Sequence, residues 1–283
     1  LAVRAGARIH PALAPWIILS NFVHKIWLQH DLIRNFVVRD LRARYIGSFM
    51  GFFWSVIHPL VLLSSYAFVF MVIFGVGAPA DSGTNNFPLF LFCGILPWLF
   101  FQDTLQRSST VIIDNANLIN KTVFPTEILP LTVMLAGLVN HLIGFVILLV
   151  FIMFVIGKIS VFILLIPIYL AVLMLFTLGL AWFLSSLNVF IRDVSQVLTV
   201  ILTFWFWFTP IFYNKIPAKY AKYSFILLWN PLANTVMGYR DCLLRMRMPD
   251  LKLLGLHALA AAAIFVAGGL FFRYIKREFV DVL

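Results

Sequence analysis

Few residues in this chain are placed to do chemistry. All 11 Asp and Glu lie between the apolar runs or at their ends. A proton-driven carrier uses intramembrane carboxylates as relays, so that class is disfavoured. His58, His141 and His257 are the only histidines inside the apolar runs, and each is isolated in sequence. A lone His among apolar neighbours reads most simply as a hydrogen-bonded structural group. No G-x-x-x-x-G-K-[S/T] phosphate loop is present, because Gly157-Lys158 lacks both the upstream Gly and the following Ser or Thr. The chain alone is therefore not expected to hydrolyse ATP. H-E-x-x-H, G-x-S-x-G and the paired Asp of glycosyl transfer are absent too. Cys93 and Cys242 form no C-x-x-C pair, so neither a metal site nor a disulfide framework is expected. Three classes remain: a passive channel, a membrane enzyme with a scattered site, or the membrane half of a pump whose motor is another chain. An enzyme would need converging acid, base or metal-binding groups near the bilayer, and the empty runs argue against it.

The elements that position these residues are membrane spans. Of 283 residues, 63% are hydrophobic and 11% charged, against about 25% charged in soluble domains. Lipid must be the solvent for most of this surface, since a full span takes about 20 apolar residues. Six runs qualify: Phe52 to Phe74, Phe87 to Phe101, Leu131 to Ile156, Val161 to Leu187, Val197 to Tyr213 and Leu254 to Phe272. The second is short and carries Pro97, which predicts a kink or tilt. Phe225 to Leu244 is also apolar but contains Asn230-Pro231 and Arg240-Asp241. It reads as a re-entrant pair of short helices, because broken backbone at membrane depth needs a cover of protein or water. The fold class expected is thus an all-α membrane protein with six transmembrane helices.

Before the first run, Trp16, Val23, Ile26, Trp27, Ile33, Phe36, Val37 and Leu41 recur at helical spacing, with Lys25, Arg34, Arg39 and Arg42 mostly off that stripe. That pattern fits an amphipathic helix in the headgroup plane. Pro11, Pro15 and the polar Asn21, His24 and Lys25 argue against a secretory signal. With both termini in the cytoplasm, 13 of the 21 Lys and Arg fall on that side and 8 on the other. Positive-inside orientation is weakly obeyed, and Arg273, Lys276 and Arg277 give the C-terminal tail its cytoplasmic signal. The net charge of +10 then points to anionic lipid headgroups and not to nucleic acid. The expected layout is a cytoplasmic region 1–51 with the interfacial helix, and a six-span domain 52–283. Within the domain, 104–130 is a cytoplasmic loop and 214–253 the re-entrant segment.

Several loop motifs stand in a fixed order. Arg39-Asp40-Leu41-Arg42-Ala43-Arg44-Tyr45 precedes the first run, followed by Gly47-Ser48, Gly51, Trp54 and Pro59. Asn117 to Pro130, reading NLINKTVFPTEILP, separates the second and third runs. Asn188, Arg192 and Asp193 follow the fourth, Thr209-Pro210-Ile211-Phe212-Tyr213 ends the fifth, and Asn230-Pro231 and Tyr239-Arg240 lie in the re-entrant segment. From about Phe36 to the C-terminus the set resembles the permease subunit of polysaccharide-exporting ABC transporters of the type-2 exporter fold, the group that exports O-antigen, capsule or teichoic-acid chains.

The resemblance implies a homodimer of this chain with two copies of a separate ABC ATPase, which would hold ATP and Mg; this chain would carry no cofactor. It implies the bacterial inner membrane as the location and a lipid-linked polysaccharide, O-antigen first among the options, as the substrate. It also makes the loop holding Asn120, Lys121, Phe124, Pro125 and Glu127 a coupling helix docking into the ATPase; an ordinary connecting loop is the plain alternative. Arg192 and Asp193 are a second docking contact or a local ion pair. A sliding glycan gains from aromatic platforms, for which Trp98, Phe100, Phe101, Trp205, Phe206, Trp207, Phe208 and Tyr66 are candidates, although the same residue types anchor helices at interfaces. Arg39, Arg42 and Arg44 are candidates for the carrier's phosphate, or for ordinary anionic lipid. Asn230, Pro231 and Arg240 would cap broken helix ends at an outer gate.

Overall fold

The computed structural model describes residues 29–45, 51–121, 124–216 and 218–283. The expectations resting on Trp16 to Trp27, Gly47-Ser48 and Thr122-Val123 lie outside the described residues. Among the described residues the fold is helical without strands. The helices are α1 (His30–Tyr45), α2 (Trp54–Ala67, continued by π-helical turns over Phe68–Ile73), α3 (Phe87–Asp114), α4 (Ala116–Lys121), α5 (Ile128–Ile156), α6 (Ile166–Phe190, entered through a 3-10 turn over Val161–Leu165), α7 (Val194–Phe208), α8 (Phe225–Trp229), α9 (Pro231–Leu243), α10 (Leu251–Ile275) and α11 (Phe279–Val282).

Local signals account for the boundaries. The Asn86 side chain accepts from the Leu89 amide and Pro88 occupies the first turn of α3. Helix α5 stops at Gly157, whose φ of 76° suits a residue without Cβ. Asp250 caps α10 by accepting from the amides of Lys252 and Leu253. Five helical segments are long and apolar enough to cross a membrane: Trp54–Ile73, Phe87–Asp114, Ile128–Ile156, Val161–Phe190 and Leu251–Glu278. Of the six runs, the fifth falls short, since α7 has 15 residues. It ends at Phe208 and not Tyr213 because Thr209, which precedes Pro210, sits in the extended region with ψ of 133°.

The second helix is longer than its apolar run. It continues past Pro97 to Asp114, so the first eleven positions of the expected loop 104–130 are helical. The polar residues beyond Phe101 are used inward: Trp98 Nε1 donates to Gln102 at 2.7 Å, and Asp103 and Arg107 meet charges of α1. Helix α3 is the hub of the chain. Its apolar stretch is 78% buried, against 11–33% for the other four, and α2, α5, α6, α7 and α9 all pack on it.

Helices α6 and α10 make the most extensive pairing. A Cβ on Gly268 would lie 2.0 Å from the Gly179 carbonyl oxygen, and one on Gly179 would lie 2.6 Å from that of Ile264. This is the small-residue contact that lets membrane helices approach when no hydrophobic force drives them together. Gly268→Ala should therefore lower the unfolding midpoint of the detergent-solubilised protein, by about 1–3 kcal/mol of overpacking. Gly269→Ala, whose Cβ would meet the Trp182 ring at 3.4 Å, should be near neutral; equal midpoints for the two variants would contradict this account.

Candidate functional site

The functional candidates gather at the two ends of the bundle. At one end lie α1, residues 115–121 and 124–127, the bend 191–193 and the C-terminal turn. Arg39 donates to the Asn115 side chain at 3.1 Å, the Phe124 ring sits 5.2 Å from that of Phe36, and Lys276 pairs with Glu127 at 3.0 Å. Phe190 meets Phe279 at 6.3 Å. At the other end Asp81 collects Lys215 at 3.1 Å and the guanidinium of Arg245, while Asn214 and Arg245 donate to its backbone carbonyl. The hydrogen bond from Lys215, then Arg245, holds the Asp81 carboxyl below its ordinary value.

The coupling candidates divide into two groups. Asn120 and Lys121 are exposed on α4, while its Ile119 is buried. Arg192 and Asp193 are exposed beside Ile191, which is 53% accessible. Phe124 is half-buried and spends its ring on Phe36, and Pro125 starts a turn by accepting from the Ile128 amide. Glu127 takes two hydrogen bonds from Lys276, and its carbonyl accepts from Trp182 Nε1 at 3.0 Å. These three shape the loop from within.

The phosphate candidates divide likewise. Arg44 lies among carboxylates, 2.9 Å from Asp103 and 3.4 Å from Asp40, and Arg107 contacts both acids. Arg39 lies over the Phe36 ring at 4.1 Å while bonding Asn115. Arg42 is exposed and makes no ion pair among the described residues. Asp40 stands in the motif before the first run without a role of its own, and Asp103 and Arg107 are not among the sequence candidates, although Asp40/Arg44 and Asp103/Arg107 both stand at i,i+4.

The aromatic candidates do not form one surface. Trp98, Phe100 and Phe101 are 0–3% accessible. Phe101 stacks on Phe176, and Trp98 lies 5.4 Å from Phe206. Trp98 and Phe101 are thus buried in the packing of the chain itself. Phe100 edges a cleft of about 330 Å³ that Trp54, His58, Asp103 and Asn140 also line. Trp205 donates to Asn230 at 3.0 Å, and Tyr66 and Phe206 are half-buried around Phe212. Trp207 and Phe208 are about half exposed. The buried histidines are hydrogen-bonded: His141 Nε2 lies 3.0 Å from the Tyr239 hydroxyl, and His257 Nδ1 lies 2.8 Å from the Leu253 carbonyl.

The break after α7 is closed by Arg240 and Asn230. The fully buried Arg240 donates to the carbonyls of Pro210 (2.6 Å), Ile211 (2.5 Å) and Tyr213 (3.1 Å), and lies 3.6 Å over the Phe90 ring. Asn230 accepts from the Leu232 amide, capping α9, and donates to Thr209; Pro231 takes the first helical position. No group of three or more potential metal-ligating side chains occurs among the described residues.

A bundle of long apolar helices with two polar contact regions at one end and a sealed backbone break at the other defines a multi-span membrane protein. The family model for ABC-2 type transporters matches residues 32–244, and the chain belongs to that family. It is 30% identical over 266 residues to the "O-antigen export system permease protein RfbA" of Myxococcus xanthus, covering 93% of this chain and 99% of that one. A Klebsiella pneumoniae protein of the same name is 31% identical over 258 residues, covering 89% and 95%. The "Polysialic acid transport protein KpsM" of Escherichia coli is 24% identical over 223 residues, covering 77% and 83%.

Arg240→Met should leave three carbonyls of the break without their donor. Hydrogen bonds to charged groups are worth about 1.5–3 kcal/mol each, so a loss of several kcal/mol is expected, with faster proteolysis between 209 and 224. Arg240→Lys should rescue little, because an ammonium lacks the planar fork. A wild-type melting midpoint and cleavage rate for both variants would count against this role.

Proposed function

We propose that this chain is the membrane-spanning subunit of an ATP-driven exporter that moves a lipid-linked polysaccharide, O-antigen foremost, across the bacterial inner membrane. The carrying observation is the near full-length similarity to proteins named as O-antigen export permeases. The working assembly is a homodimer with two copies of an ABC ATPase, which bind the ATP and Mg.

In this reading both termini are cytoplasmic and α7 is the fifth of six spans. At 1.5 Å per residue α7 is about 22 Å long, short of a hydrocarbon core of about 30 Å, and the bend 209–214 extends it outward. Helices α8 and α9 form the re-entrant gate: Asn230 bonds the end of α7, and α9 finishes near the Asp81 loop, where Arg245 donates to the Asp81 carbonyl. Helix α1 lies in the inner headgroup plane. Its apolar side rests on α5 and Phe124, and Arg34, Arg39 and Arg42 face outward toward lipid phosphates and the carrier's head. Trp207 and Phe208 become the leading platforms for a sliding glycan, with Tyr66 and Phe206 behind them.

The mechanism runs from the inner end outward. ATP-driven closure of the partner subunits pushes on Asn120, Lys121, Arg192 and Asp193. Phe124, Pro125 and Glu127 pass that push to α1, α5 and α6, and a path opens between the two copies. Lys121→Glu combined with Arg192→Glu should reduce the ATPase that co-purifies with the chain by about fivefold to tenfold, while the chain's membrane level stays unchanged. Undiminished capture would remove the docking assignment, and a chain that captures no ABC ATPase at all would remove the exporter reading.

A further inference from the structure

We infer that the C-terminal segment is the anchor of the coupling loop, with Lys276 gripping Glu127 so that movement of the loop reaches α6 and α10 together. The inference rests on the exporter-subunit reading and adds a positioning role for residues beyond the region matched by the family model, which ends at residue 244.

Two distant parts of the chain converge on Glu127. Its carboxylate receives the Lys276 ammonium at 3.0 and 3.2 Å, 149 residues away in sequence. Its carbonyl receives Trp182 Nε1 of α6, and Trp182 itself packs on Phe265 of α10 at 5.1 Å between ring centroids. Glu127 precedes the first residue of α5, so a load on α4 must pass it to enter that helix.

The tail is built to hold this position. After α10 the chain turns through Lys276–Glu278 and folds Phe279 back. Phe279 is fully buried against Phe272 at 5.6 Å and Phe190 at 6.3 Å. The tail therefore touches both inner connections: Glu127 beside the first, and Phe190, one residue before the bend 191–193, beside the second. The ion pair is partly withdrawn from water, with side chains 31% and 17% accessible. It is thus screened less than a surface pair.

The test is a charge exchange in the full complex, reconstituted in vesicles with its ATPase and a lipid-linked glycan. Export and ATP turnover are both measured. Lys276→Glu and Glu127→Lys should each lower glycan exported per ATP hydrolysed by about fivefold, with the captured ATPase unchanged. The double exchange should restore the ratio to within about twofold. Lys276→Arg should behave as wild type and Lys276→Met as the reversal. Additive losses in the double exchange, or wild-type ratios in the single variants, overturn the inference. If the reversals do not accumulate in the membrane, equal ratios for the Arg and Met variants overturn it. Failure of the wild-type chain to hold an ATPase would instead strike the exporter reading.

Discussion

A guanidinium buried among backbone carbonyls holds one end of this molecule together. Backbone groups released from a helix and shielded from water need internal partners, and the turn from Thr209 to Tyr213 releases several. Arg240 supplies donors to Pro210, Ile211 and Tyr213 from one side chain and rests its plane on Phe90. Its charge is met by dipoles, since no Asp or Glu among the described residues pairs with it. The arrangement links α3, the end of α7 and α9. Gly94 belongs to it as well: a Cβ there would come within 2.9 Å of the Arg240 fork.

The opposite end follows a different logic. There, charges pair in part-buried clusters that fasten helices to one another. Asp40 and Arg44 from α1 interlock with Asp103 and Arg107 from α3, four charges that sum to zero. The side chains left outward on α4 and on the bend at 192–193 are those without such internal work. Side-chain placement thus divides the candidate list into residues that clamp helices together and residues that are exposed.

Much of the architecture could be read in the sequence, because apolar length and helix punctuation are local properties. The long helices lie where the apolar runs lie, and Asn86, Gly157, Asp250 and Asn230 act as caps and stops. What escaped the reading depends on partners far along the chain. The extension of α3 was hidden because Asp103 and Arg107 look like a loop until α1 supplies opposite charges. The early end of α7 was masked by apolar Ile211, Phe212 and Tyr213, although Pro210 marked it. The burial of Trp98 and Phe101 could not be read either, because composition does not tell which side of a helix meets a neighbour. Glu127 and Lys276 stand 149 positions apart, and no local pattern joins them.

The burial of α3 bears on how the chain enters the membrane. This helix is the least apolar of the five long segments, and it is the one enclosed by the others. Lipid is a poor solvent for Gln102, Asp103 and Arg107, whereas α1 and the neighbouring helices are a good one. As the chain emerges from the ribosome, α3 arrives before α5 and α6, its two largest partners. Its enclosure is therefore complete only once those later helices are in place. The surroundings of the central helix are thus supplied in large part by segments that follow it in the chain.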